Sequence, residues 1–347
     1  MIRVVRSPYA EQHVPGAEIW LGTRTPGTEV PKRVSVIASA LADWPVVEAT
    51  SHGDEALLAV HDAELVDHLR TIWSRWGDYG VERVVPYLFP TAGMLGDLPL
   101  REPFAPHAAA GTYCYDTMTL IGPGTWEAAR GAVDVALTCV DLIVTSAVDE
   151  PVIYGLTRPP GHHVTRSAYG GSCYLNNAAV AAEALRRAGH ERVAIVDIDA
   201  HHGNGTQDIF YAREDVLYAS VHVDPGAGWF PHYAGFADEV GRGAGVGANL
   251  NLPLAPGTED KRWLEAIMEI VQRVLDFEAT AMVLSLGVDA AAEDPESPLE
   301  ITQDGFYRAA ELLGAMGLPT VALQEGGYHL PTLGAVVKAS LQGLTRC

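Results

Sequence analysis

The chain has 347 residues, 48% of them apolar, and 23 basic against 44 acidic side chains give a formal net charge of −21. That charge excludes nucleic-acid binding through phosphate contacts. It leaves room for a cationic substrate, or simply for a soluble surface. No apolar run reaches the ~18 residues of a membrane span, and the N-terminus, MIRVVRSPYAEQ, has no apolar signal segment, so a cytoplasmic protein is expected.

The length admits one large α/β domain or two smaller ones. Cys114, Cys139, Cys173 and Cys347 have no paired spacing and read as reduced thiols rather than a disulfide frame or a zinc ribbon. In chain order, the segment 79–112 breaks any regular rhythm. It is long, rich in Pro and Gly, and carries aromatics and leucines, which predicts a lid or an interface.

From residue 151 onward, apolar β-branched runs alternate with helical patterns. The strand-like runs are PVIYGLT (151–157), RVAIVDI (192–198), DVLYASVHV (215–223), TAMVLSLGV (280–288) and PTVALQEGG (319–327). Helices are predicted over 176–190 and 261–277. In the second, Trp263, Leu264, Ile267, Met268, Val271, Val274 and Leu275 form one stripe at helical spacing. The alternation predicts an α/β fold, a parallel sheet with helices on both faces.

The unusual residues all sit where these runs end, which is where open parallel sheets bind ligands. They are RPPGHH (158–163), DIDAHHGNG (197–205), GVD (287–289) and EGGY (325–328). Asp199 and His201 are two apart, so on an extended backbone they face the same way. Asp289 would supply a third ligand from a neighbouring strand end. Two carboxylates and one imidazole suit a first-row divalent cation and leave a coordination position open for water. The plainer alternative is a buried hydrogen-bonded pair of Asp199 and His201. His202 is read as a supporting or packing residue. Asp197, on the same side as Asp199, is expected to hold a hydrogen bond behind the site or a monovalent cation.

His162 and His163 follow Pro159–Pro160–Gly161 and are predicted to exchange protons with a metal-activated water and a leaving amine. Asp197 and Asn204 are the expected partners of the two rings. Gly203–Asn204–Gly205 reads as a turn into the next helix. Tyr328, after Gly326–Gly327, is placed to donate a hydrogen bond to an oxyanion.

Together RPPGHH, GGSCYLNN (170–177), DIDAHHGNGTQDIFY, SLGVDAAAEDP (285–295) and EGGY resemble the zinc-dependent histone deacetylase and acetylpolyamine amidohydrolase family, of the arginase–deacetylase fold. GPGTWEAA (122–129) and AVHDAELVDHL (59–69) resemble its bacterial acetylpolyamine branch, so the likeness spans nearly the whole chain. It implies a single deacetylase domain over residues 1–347 with an insertion at about 79–112.

The resemblance implies Asp199, His201 and Asp289 as ligands of zinc, with iron(II) as the alternative. It implies His163 as general acid–base, His162 as a charged or hydrogen-bonding stabiliser and Tyr328 as oxyanion donor. Gly171 would contact the substrate amide through its backbone and Phe230 would line the acyl tunnel. A structural potassium ion would lie at Asp197, Asp199, His201, Ser220 and Val221. A second would lie near Phe210 and Val216, where Arg213 replaces a typical partner.

Two departures stand out. Ser172 occupies the tunnel position that is usually aromatic, which predicts a wider or more polar tunnel. His107 and Met118 stand where polyamine enzymes of this family place acids. Glu18 matches an acidic residue of that branch, and Glu102 or Asp116 would substitute for the missing acids. The expected substrate is a small acetylated amine such as an acetylpolyamine, the insertion forming a homodimer contact that narrows the entrance. An acylated biosynthetic small molecule and acetyl-lysine remain alternatives. The fold is shared with two-metal ureohydrolases, but Gly203 and Gly287 replace the aspartates of a second metal. A catalytically silent binding protein would not need every catalytic position intact.

Overall fold

The computed structural model describes residues 2–77, 82–145 and 151–345. Cys347 and residues 79–81 of the insertion lie outside these residues. Among the described residues ten strands are formed: β1 (Arg3–Arg6), β2 (Glu18–Trp20), β3 (Thr23–Thr25), β4 (Val46–Glu48), β5 (Val152–Leu156), β6 (Val193–Asp197), β7 (Val216–Val223), β8 (Asn249–Leu254), β9 (Ala281–Leu286) and β10 (Thr320–Gln324). Eight make one sheet in the order β4-β1-β5-β10-β9-β6-β7-β8, parallel at every pairing. The remaining two, β2 and β3, form a small antiparallel hairpin.

Every residue of β5, β6, β7, β9 and β10 is buried. That explains why they read as unbroken apolar runs: a parallel sheet covered on both faces has no wet side. Successive residues serve opposite cores. Ala194 and Val196 of β6 face one side with Met282 and Leu284 of β9. Helices Asp260–Asp276, Gln303–Gly314 and Leu330–Leu344 cover that face. Val193 and Ile195 face the other side with Ala281 and Val283, under helices Ala63–Trp76, Thr125–Thr145 and Asn177–Arg187. Full burial of each such Val, Leu or Ile contributes roughly 1.5–3 kcal/mol.

The helix predicted over 261–277 is observed as Asp260–Asp276, but its buried stripe is narrower than expected. Trp263, Ala266, Ile267, Ile270 and Val274 face the core. Met268 and Leu275 stand half in solvent. Apolar spacing marked the helix correctly and overstated its inner face.

The insertion is only partly irregular. Val84 bridges to Ile121, and two short helices, Ala92–Leu95 and Pro106–Tyr113, punctuate it. Tyr87, Leu88, Met94, Leu98, Leu100 and Phe104 are exposed along it, Phe104 completely.

Candidate active site

β5, β10, β9 and β6 are consecutive neighbours in the sheet, and all four predicted motifs leave from their carboxyl ends. Register aligns these ends: Asp197 sits opposite Ser285, and Leu286 opposite Gln324. The motifs, scattered over 170 positions of sequence, are therefore brought to one spot by the sheet alone.

Asp199, His201 and Asp289 converge, with one donor atom from each lying within 4.8 Å of the others. His201 Nδ1 is 3.2 Å from Asp199 Oδ1 and 3.0 Å from Asp289 Oδ2. Backbone amides fix both carboxylates. Gly326 N–H donates to Asp199 Oδ2 at 2.8 Å, and Ala200 N–H to Asp289 Oδ1 at 2.7 Å. Both aspartates are buried. Burial and the charge of Asp199 raise Asp289 to about 7. His201 is pushed up despite its burial by the two carboxylates it faces. Two buried carboxylates and one converging imidazole form a donor set that fits a divalent metal ion.

The glycines around this cluster are dictated by contact. A Cβ at Gly203 would collide with the Asp197 carboxylate and the Tyr218 hydroxyl, and one at Gly287 with the Asp199 carboxylate. An aspartate at either place has no room.

His162 and His163 lie beside the cluster with ring centroids 4.0 Å apart. His162 Nδ1 donates to Asp197 Oδ2 at 3.0 Å, and its Nε2 is 3.8 Å from Asp199 Oδ1. Burial disfavours its charge, but Asp199 and Asp197 outweigh burial and raise it to about 10. His163 Nδ1 donates to Asn204 Oδ1 at 2.8 Å; a carboxamide oxygen can only accept, so the lone pair of His163 is on Nε2. Burial, then the charges of His162 and His201, hold His163 well below the usual histidine range. Asp197 and Asn204 thus pair with the two rings as the sequence suggests.

Phe230 meets the His163 ring edge-on at 4.7 Å. Gly171, at φ +60°, fits between these two rings, where a Cβ would strike both. Ser172 shares the positive φ, and its N–H donates to Thr119 Oγ1 at 2.8 Å. The half-buried Tyr328 ring lies under Arg33, whose guanidinium carbon is 4.8 Å from its centroid. Burial pushes the Tyr328 phenol well above its usual value, which keeps it a donor.

Outside Phe230 opens a cavity of about 520 Å³ lined by Trp20, Leu21, Phe89, Met118 and Tyr233 among others. Met118 is at this mouth. His107 is not; it stacks on Tyr87 at 6.2 Å. The Glu18 carboxylate turns toward Gly27 and Thr28 rather than into the cavity. Burial and nearby Glu296 raise it to about 7. Asp116 borders the cavity, but both its oxygens already accept hydrogen bonds from the N–H groups of Met118, Thr119 and Gly171 and the Thr119 hydroxyl. Glu102 accepts from the Tyr113 hydroxyl. Ser220 stands beside Asp197 in the sheet and its hydroxyl contacts His222 Nδ1 at 2.8 Å, with Val221 next to it. Phe210 ends the helix Asn204–Phe210, its ring covered by the Arg213 guanidinium at 5.2 Å.

Sequence reasoning passed over a supporting layer. Arg33 donates to the Gly327 and Glu325 carbonyls and to Glu29. Arg158 grips the same Glu29. Tyr115 donates to the His163 carbonyl, Tyr218 to Asp197, and Asp294 accepts from the N–H groups of Tyr328 and His329. Of these, only Arg158 of RPPGHH and Asp294 of SLGVDAAAEDP lay inside a quoted motif with their charge in view.

The sequence profile of the histone deacetylase domain matches residues 27–344. The chain belongs to the histone deacetylase domain family. Among its relatives in this family, an acetylpolyamine amidohydrolase of Mycoplana ramosa is 40% identical over 331 residues, 94% of this chain and 95% of that protein. Acetylpolyamine amidohydrolase 1 of Pseudomonas aeruginosa is 39% identical over 335 residues, 95% of each. The crystal structure of an acetylpolyamine aminohydrolase from Burkholderia pseudomallei matches with a TM-score of 0.91 at 37% identity, covering 99% of this chain and 98% of that one. The HDA15 HD domain matches at 0.79 and 29% identity. The histone deacetylase domain here thus has the arginase–deacetylase fold and is that of a hydrolytic deacetylase. No helix among the described residues is long and apolar enough to cross a membrane.

Proposed function

We propose that this deacetylase hydrolyses the amide of a small acetylated amine, of the acetylpolyamine class, with one divalent metal ion per chain. The carrying observation is the convergence of Asp199, His201 and Asp289 beside two histidines held in opposite protonation states. The relatives' names add the substrate class.

Zinc, or iron(II) in its place, held by Asp199, His201 and Asp289 would polarise the acyl oxygen and acidify a water. His163, neutral and with its lone pair on Nε2, takes the proton of the attacking water. It returns that proton to the departing amine nitrogen. His162, kept charged by Asp197 and Asp199, donates to the attacking oxygen. The Tyr328 hydroxyl donates to the oxyanion as the carbonyl becomes tetrahedral. Phe230 and the Gly171 backbone form the slot for the acetylated arm, and Ser172 widens its outer wall. Asp197, with the neighbouring Ser220 and Val221, also suits a structural potassium ion, and Phe210 marks the weaker second one.

The whole chain is read as one domain. The exposed apolar side chains from Tyr87 to Phe104 are assigned to a homodimer contact that restricts the mouth to small substrates. Free Cys114, Cys139 and Cys173 fit a reducing, cytoplasmic setting.

A second reading has its own observation. The mouth is lined by Trp20, Leu21, Phe89 and Met118, and neither Glu18 nor Asp116 offers it a free carboxylate. This favours an acylated small molecule with an uncharged tail over a long polyamine.

A kinetic panel of N-acetylputrescine, N-acetylcadaverine, N-acetylspermidine and an acetyl-lysine peptide separates these substrates. Tyr328→Phe should bind metal normally while kcat falls by about 10²–10³. Full activity in that variant would end the oxyanion assignment.

A further inference from the structure

Beside the histidine pair lies a second cluster, two of whose three members, Cys173 and Glu325, have no part in the reaction. Donor atoms of His162, Cys173 and Glu325 lie within 4.8 Å of one another, and all three residues are buried. Of the two ring nitrogens of His162, Nδ1 is committed to Asp197, which leaves Nε2. Cys173 is a free thiol with no exposed surface. Glu325 uses Oε2 to accept from the N–H groups of Gly161 and His162. Its Oε1 is buried with no hydrogen-bond partner.

That orphan oxygen needs an explanation. A buried carboxylate oxygen left without a partner is destabilising. Arg33 is close, but it is turned to the Glu325 carbonyl rather than to the carboxylate. A ring nitrogen and a thiol, both metal-binding types, offer donor atoms within 4.8 Å of a Glu325 carboxylate oxygen. One nitrogen, one sulfur and one oxygen suit zinc, cobalt(II) or cadmium and do not suit magnesium or calcium. The Asp199, His201 and Asp289 cluster, by contrast, contains no sulfur.

We propose that His162, Cys173 and Glu325 form a second, inhibitory site for a thiophilic divalent cation. Binding forms bonds from the cation to His162 Nε2, the Cys173 sulfur and a Glu325 oxygen, and releases two protons to solvent, one from His162 Nε2–H and one from the thiol. It removes His162 from the reaction, because the ring nitrogen that would donate to the attacking oxygen becomes a ligand. The enzyme is therefore activated by a first equivalent of metal and inhibited by a second. This rests on the one-metal reading given above, and the two are separable.

The test is a cobalt(II) titration of the metal-free full-length protein. The first equivalent should restore deacetylation and give only weak visible bands, since its ligands are oxygen and nitrogen. The second should add a near-ultraviolet thiolate-to-cobalt band and suppress activity. Cys173→Ala should lose that band. Glu325→Gln, which keeps the thiol, should shift it to higher cobalt concentration, so the decision stands even if Cys173→Ala does not fold. No near-ultraviolet band in excess cobalt overturns the site. So does a band that survives Cys173→Ala, or one unmoved by Glu325→Gln. Failure of the first equivalent to restore activity would instead overturn the one-metal reading.

Discussion

His162 and His163 are adjacent in sequence and their rings stand 4.0 Å apart, yet their surroundings drive them to opposite protonation states. Asp199 and then Asp197 hold His162 charged against its burial, whereas burial and the charges of His162 and His201 hold His163 neutral; the partner of each Nδ1 differs accordingly. Asp197 faces His162 with a carboxylate, and Asn204 faces His163 with a neutral amide. Two like rings whose environments separate their titration are how a site divides the roles of acid and base.

The first prediction concerns the acid side of the pH–rate profile. His163 must be neutral to accept a proton, and burial plus the charges of His162 and His201 lower it from 6.5. Falling pH protonates it only below the ordinary histidine range. The acid limb of kcat/KM should therefore lie below pH 6.5. The Asn204 hydrogen bond is one of the influences that raise His163, so Asn204→Ala should move the limb further toward acid. A wild-type limb at or above 7 would contradict the assignment.

A second prediction concerns the buried triad of Glu29, Arg33 and Arg158. Arg33 ties the segment before Tyr328 to the helix Lys32–Ala40 through the Glu325 and Gly327 carbonyls. Arg33→Ala strands those acceptors and should cost about 3–5 kcal/mol in denaturant unfolding. Arg33→Lys keeps the charge and loses the planar fork. It should lower kcat with little change in metal affinity, because Tyr328 is loosened and the metal ligands are not. Equal loss of metal binding would place the defect elsewhere.

The mouth supplies a third. Met118 borders the cavity at a position with no free carboxylate nearby. Met118→Glu should raise kcat/KM for N-acetylspermidine relative to N-acetylbutylamine by roughly tenfold, the worth of one charge-assisted contact. An unchanged ratio would show that the distal amine does not reach this wall.

How much of this was legible in the sequence depends on the kind of signal. Fully buried parallel strands leave unbroken apolar runs, so β5, β6, β7, β9 and β10 were plain. The short strands β1 and β4 and the mixed NLNLPL of the edge strand β8 were not, since they lack length or an unbroken apolar run. Site residues at strand ends were legible because ionisable groups after an apolar run are costly without a function. Arg33 was not, since its charge lies in an ordinary-looking helix and its partners are backbone carbonyls nearly 300 residues away. Direction of side chains was also hidden. Glu18 has the right identity, but its carboxylate points to Thr28 and not into the cavity.

The proposed function requires one metal ion, held by Asp199, His201 and Asp289, for hydrolysis of a small acetylated amine. The most direct measurement is a zinc titration of chelator-stripped protein while acetate release from N-acetylputrescine is followed. The expected result is no turnover without metal, a maximum at one equivalent per chain, and no recovery at any zinc concentration in Asp289→Ala. Turnover that survives chelation, or that needs two equivalents to reach its maximum, would contradict it.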